Sequence, residues 1–164
     1  MRLIVSALVA LVLAIAGSKA ANAHFSEGVK LRSIVVTRDS DGASVFVRAP
    51  APLLFADLLD TARRTGAPLD SDFIYSLEAA TGPVFYLSLD AIDADPAGFA
   101  KQMEGALAWS QNGEPVGVRL AGYRVRASEP DSHPASAEEV RAALAEPGAT
   151  RDPLFGEAFV DMEL

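Results

Sequence analysis

The sequence predicts an α+β fold: a mainly antiparallel sheet or sandwich-like domain of about six strands, with two or three short helices in the crossovers. Three observations predict it. Short β-branched or alternating runs recur along the chain, at Ile34–Arg38, Val84–Leu89 and Phe159–Leu164. Two helix openings carry clear punctuation, Asp95-Pro96 and Ser136-x-x-Glu139. No repeat, low-complexity tract or linker divides the segment that follows the leader, so residues 24–164 read as one domain.

Taken in order, Lys30 to Arg38 alternates and then becomes β-branched, which reads as a strand. Asp39-Ser-Asp-Gly42 reads as a turn. Ala43 to Arg48 returns, with Val45 and Val47 on one face and Ser44, Phe46 and Arg48 on the other. Pro50 and Pro52 break the pattern. Leu53, Leu54, Phe55, Leu58 and Leu59 then recur at helical spacing, predicting a short helix from about Pro52 to Arg64, stopped at Gly66 and Pro68. The stretch from Ala67 to Gly82 is open between a strand and one helical turn at Phe73–Leu77, and Val84–Leu89 reads as a strand.

Asp95 before Pro96 predicts an N-cap followed by proline at the first helical position. Phe99, Met103, Ala106 and Leu107 then share one face. Asn112-Gly113 reads as a hairpin turn in preference to a helix C-cap, which ends the helix near Gly105 or Ala106 and puts Trp109 on the first hairpin strand. Val116 to Arg126 reads as one long strand. Ser136-Ala-Glu-Glu139 has capping-box spacing and predicts a helix over roughly Ala137 to Ala145, ended by Pro147-Gly148. Phe159 to Leu164 is the last strand.

The 164 residues carry 14 Lys+Arg against 22 Asp+Glu, a net charge of −8, with no cysteine. That acidity excludes a nucleic-acid binder, which would present a basic stripe. The missing cysteines exclude disulfides, thiolate metal sites and cysteine nucleophiles. The mean hydropathy of +0.21 is inflated by the first 23 residues. There Met1-Arg2 precedes an apolar run from Leu3 to Ala16, followed by small and polar residues up to Ala21-x-Ala23. This is the plan of a cleavable secretory signal peptide, cut between Ala23 and His24. The apolar run is shorter than the roughly 20 residues a spanning helix needs. Removing residues 1–23 takes away Arg2 and Lys19 and no acid, leaving 12 bases against 22 acids and a net of −10. The expected product is periplasmic or secreted, acidic, and without a membrane span.

Two histidines, His24 and His133, are the candidate metal ligands. Cleavage after Ala23 would place an α-amine beside the His24 imidazole, and the pair can chelate one ion. A further nitrogen from His133 would complete a T-shaped three-nitrogen set suited to Cu(II). Cleavage after Ala21 would instead leave Asn-Ala-His, a third-position histidine, and would require Lys19 at the small-residue position of the site. The acids Asp39/Asp41, Asp70/Asp72 and Asp90/Asp93/Asp95 invite a calcium reading, but none has the ligand series of an EF-hand loop and all stand where turns and caps use aspartate. No nucleophile elbow, phosphate loop or dinucleotide fingerprint occurs. Phe46 and Tyr123 stand on strands with a face that a partner would be able to use.

Three segments carry a resemblance: Val45-Phe-Val-Arg-Ala-Pro-Ala-Pro-Leu-Leu-Phe-Ala-Asp57, Asp95-Pro-Ala-Gly-Phe-Ala, and Asn112-Gly-Glu-Pro-Val-Gly-Val-Arg-Leu120. Together they resemble the extracytoplasmic N-terminal region of HupE/UreJ-type membrane proteins, for which nickel permeation is the implied activity. Residues 24–164 hold no run long enough for the membrane helices of that family, and none of its functional residues is carried over to this sequence. The resemblance implies a free-standing exported domain working beside a transporter-type membrane protein. The expected function is therefore a non-enzymatic binding or accessory module with no catalytic residues and no cofactor. The alternative is a periplasmic copper-binding protein using His24 and His133.

Overall fold

A computed structural model describes residues 33–38, 42–131 and 133–164, all within one compact unit, Leu31–Leu164. The fold is α+β with mostly antiparallel strands, and the described residues form eight strands and five helices. The expected leader and His24 lie outside the described residues, as does the Asp39–Asp41 part of the first turn. Among the described residues no helix is long and apolar enough to cross a membrane.

Four strands make the main sheet: β1 (Ser33–Arg38), β2 (Ala43–Pro50), β7 (Gly122–Arg126) and β8 (Phe159–Glu163), in the order β1-β2-β8-β7 with every pair antiparallel. The period of two divides the side chains as the sequence predicts. Val47, Ala49, Val125, Val160 and Met162 share one face and enter the core. Phe46, Arg48 and Asp161 occupy the other face and are also buried. Val45 and Leu164 exchange backbone hydrogen bonds of 2.8 and 2.9 Å, extending the central pairing beyond β8.

The segment after β2 forms two helices rather than the single one expected. They are α1 (Ala51–Leu54) and α2 (Ala56–Thr65). The break falls at Phe55, whose ring is fully buried and meets Phe155 edge-on at 5.7 Å. The Leu54 carbonyl at the break accepts a bond from Gln102 Nε2 at 3.0 Å. Asp57 in the first turn of α2 and Arg63 and Arg64 in its last complement the helix dipole, and Gly66 closes it at φ 68°.

The open stretch resolves as strand β3 (Ile74–Ala79), paired antiparallel with β4 (Gly82–Leu87). Ile74 and Leu87, opposite each other, anchor this hairpin in the core. α3 (Leu89–Ala94) and α4 (Pro96–Gly105) follow, and Asp95 caps α4 as expected, its Oδ1 accepting from Gly98 N at 2.9 Å. Phe99 and Met103 of α4 are fully buried. Phe99 packs on Phe73 and Tyr123 with ring centroids 5.4 and 5.0 Å apart.

Asn112 and Gly113 take positive φ of 54° and 88° in the turn between β5 (Ser110–Gln111) and β6 (Glu114–Pro115). This is the backbone sign that a two-residue hairpin turn requires. Trp109 lies just before β5, and its carbonyl accepts from Val116 N at 3.0 Å. The long strand expected from Val116 is shorter, because only Gly122–Arg126 pairs in the sheet. Upstream, the Leu120 amide donates to Glu104 Oε1 of α4 at 2.8 Å, so a helix side chain takes a bond that a ladder would have used. Finally α5 (Ala137–Ala145) opens at Ser136, whose Oγ accepts from Glu139 N at 3.2 Å.

Candidate functional site

α5 covers the sheet face that carries Phe46, Arg48 and Asp161, and the most concentrated polar chemistry of the described residues lies beneath it. Arg48 on β2 stands directly opposite Asp161 on β8, which in turn stands opposite Arg124 on β7. Asp161 accepts from Arg48 Nε at 2.6 Å and Nη2 at 2.9 Å, and from Arg126 Nε at 2.6 Å. The Arg48 and Asp161 side chains retain 2% and 0% of their exposure. Forked contact of this kind suits the planar guanidinium and satisfies a carboxylate that would otherwise be strongly disfavoured inside a protein.

Arg126 extends the network outward, donating through Nη1 to Glu146 Oε2 at 3.0 Å and through Nη2 to the Ala143 carbonyl at 2.6 Å. Burial acts to lower its pKa. The hydrogen bond and charge of Asp161, then those of Glu146, outweigh that effect and raise it above the usual guanidinium value. Arg124 donates through Nε and Nη2 to the Leu144 carbonyl at 3.0 and 2.7 Å. α5 has no basic residue in its own last turn, so two arginines of a neighbouring strand supply the positive charge and the donors that its C-terminal carbonyls need. Gly148 makes the approach feasible. A Cβ there would stand 2.8 Å from Arg124 Cδ and 3.0 Å from the Val125 oxygen.

An open depression of about 380 Å³ lies over this network, lined by Arg48, Pro130, His133, Glu139, Ala143 and Glu146 among others. His133 stands at its mouth, exposed, with Nε2 4.0 Å from Glu129 Oε1. Glu139 is engaged locally, its Oε2 accepting from Ala135 N at 2.7 Å. The buried part of the network is therefore committed to holding strands and helix together, and at the rim the His133 imidazole stands open to solvent, as do the carboxylates of Glu129 and Glu146. Among the described residues no group of three or more His, Asp or Glu side chains is arranged to hold a metal ion. The structure places His133 of the predicted pair, while His24 lies outside the described residues.

One expectation changes. Phe46 is 2% exposed, beside Val140 of α5, so it is core and not partner surface. Tyr123 is half-buried against Phe99. Conversely, sequence reasoning passed over Arg48, Arg126, Asp161 and Glu146. The available signal was a lone aspartate between Val160 and Met162 and an arginine after Val-Phe-Val, charges embedded in otherwise apolar strands.

No protein-family model, curated protein or solved structure matches the chain.

Proposed function

We propose that this protein is an exported, acidic, non-enzymatic binding module that acts with a membrane-protein partner of transporter type. The observation that carries the reading is the set of large apolar side chains left open to solvent on ordered strands. Ile34 and Val36 on the edge strand β1 are 52% and 64% exposed, and Tyr75, Leu77, Phe85 and Leu154 are exposed around the β3–β4 hairpin. Ile34 and Val36, two apart on one strand, and Tyr75 and Leu77, two apart on another, each group apolar surface on a structured element, which is characteristic of a face that a partner covers. The charged residues under α5 support the same reading, since they neutralise one another in service of the fold. Export rests on the leader in residues 1–23, and the membrane partner on the HupE/UreJ resemblance. Chemical crosslinking in expressing cells, followed by gentle solubilisation, tests it: the chain should leave with a membrane protein. Recovery as a lone monomer would overturn the reading.

The second reading is copper binding through His24 and His133, favoured by the open position of the His133 imidazole at the mouth of the depression. N-terminal sequencing of the exported chain should find His24 first. Calorimetry with Cu(II) should then give 1:1 binding weakened by His133→Ala. A mature terminus at another residue removes this site.

A further inference from the structure

We infer that the outer face of the β3–β4 hairpin is the docking surface, and that its occupant is an apolar segment of a partner protein bearing lysine or arginine. The inference rests on the binding-module reading and names its surface and partner chemistry. Pairing of Tyr75 with Tyr86, and of Leu77 with Val84, sets these four side chains on one face. A bridge between Tyr86 and Leu154 adds a third chain segment in the same row. Ile74 and Leu87 point the opposite way, into the core, and anchor the hairpin at that end, while Tyr75 and Leu77 stand exposed and Val84 and Tyr86 half-exposed. Tyr75 and Tyr86 are stacked at 5.4 Å and 17°, which gives a platform already formed before a ligand arrives.

Charge selects the occupant. Between Arg64 and Lys101 the chain holds no basic residue and no histidine, but six acids: Asp70, Asp72, Glu78, Asp90, Asp93 and Asp95. Asp152 and Asp90 both act electrostatically on the Tyr75 phenol. Asp152 is held in place because its Oδ1 accepts from Leu89 N at 2.9 Å. An apolar platform with Asp90 and Asp152 beside one of its tyrosines attracts cationic side chains, whose charge also interacts favourably with tyrosine faces. The same carboxylates oppose the two other candidates. Anionic lipid headgroups would be repelled, and a second copy docked face to face would bring Asp90 and Asp152 against their own equivalents.

The test has two arms. In vitro, the full chain is titrated with two short synthetic peptides that share Leu and Val positions and differ only in carrying Lys or Glu between them. The Lys peptide should bind, weakening about tenfold as salt rises through the range that screens surface charge. Leu77→Ser, Tyr75→Ala and Asp90→Asn should each weaken it severalfold, and Ile34→Ser should leave it unchanged. Trp109 fluorescence and circular dichroism confirm that each variant is folded. Equal binding of the Glu peptide, or unchanged binding by the Leu77 and Asp90 variants, overturns the inference. In cells, a photo-crosslinking residue replaces Leu77 or, separately, Ile34. Adducts from position 77 that map to a Lys- or Arg-bearing apolar segment support it. Adducts from position 77 to a second copy of the chain, or to lipid, overturn it. A membrane protein captured from position 34 alone defeats this surface and leaves the binding-module reading standing, and no partner from either position defeats both.

Discussion

Arg48 and Asp161, 113 residues apart in sequence, face each other across β2 and β8 and share two hydrogen bonds of 2.6 and 2.9 Å out of contact with water. Asp161→Asn keeps the shape and removes the charge, leaving Arg48 and Arg126 without their shared anion. Breaking a buried pair on one side costs about 3–5 kcal/mol. Urea denaturation should show that loss, whereas Arg48→Met/Arg126→Met/Asp161→Leu together should recover most of it. A change within about 0.5 kcal/mol for Asp161→Asn, typical of a surface site, would contradict this account.

Gly148→Ala should be costly. The new methyl would meet Arg124 Cδ at 2.8 Å and the Val125 oxygen at 3.0 Å, and that oxygen is tied to the Ala149 amide. Overpacking of this sort costs about 1–3 kcal/mol. The Ala149 amide, which donates to Val125 O at 2.9 Å, should exchange its hydrogen faster in the variant. An unaltered exchange rate would argue that the loop simply moves aside.

The tyrosines predict an alkaline limit. Burial first, then the charge of Asp93, raises the Tyr123 phenol above its ordinary 10.0, with Arg124 opposing. At the more open Tyr75, partial desolvation by its neighbours first, then its interaction with Asp152, does the same. A pKa raised by folding means that the unfolded chain ionises first. This contribution to stability is therefore intact below about pH 10 and lost as pH rises past that point. Ultraviolet titration of folded and urea-unfolded protein should separate the midpoints in that direction. Coincident curves would refute it.

Helix α5 should depend on its cap. Ser136→Ala removes the acceptor for Glu139 N and should cost about 1 kcal/mol. Thermal unfolding would register a lower Tm, and Asp95→Ala should behave alike for α4, whose Gly98 amide it caps.

Local signals were legible in the sequence. Asp95-Pro96, Ser136-x-x-Glu139 and Asn112-Gly113 each act within a few residues, and each cap or turn forms where those residues put it. The split at Phe55 was hidden because the partner its buried ring meets there, Phe155, lies a hundred residues away. The shortening of the strand after Val116 was hidden because Glu104 of α4 captures the Leu120 amide. Of the depression, His133 was visible as a rare residue in a proline-rich loop. Arg48 and Asp161 looked like the solvent side of alternating strands, since nothing in the local pattern says that α5 will cover that side.

The strand order has a consequence for how the chain reaches its native state. β8 comes last among these strands yet sits in the middle of the sheet, with β2 on one side and β7 on the other. The β1–β2 hairpin can form early from near neighbours, but β7 has no ladder until β8 arrives. Closure joins residues separated by more than a hundred positions, which places the entropy of a large loop before the reward and slows the final step. Until that step, the two half-sheets carry Arg48 and Arg126 without the carboxylate that unites them. The arrival of six C-terminal residues, Phe159 to Leu164, converts separate pieces into one cooperative structure.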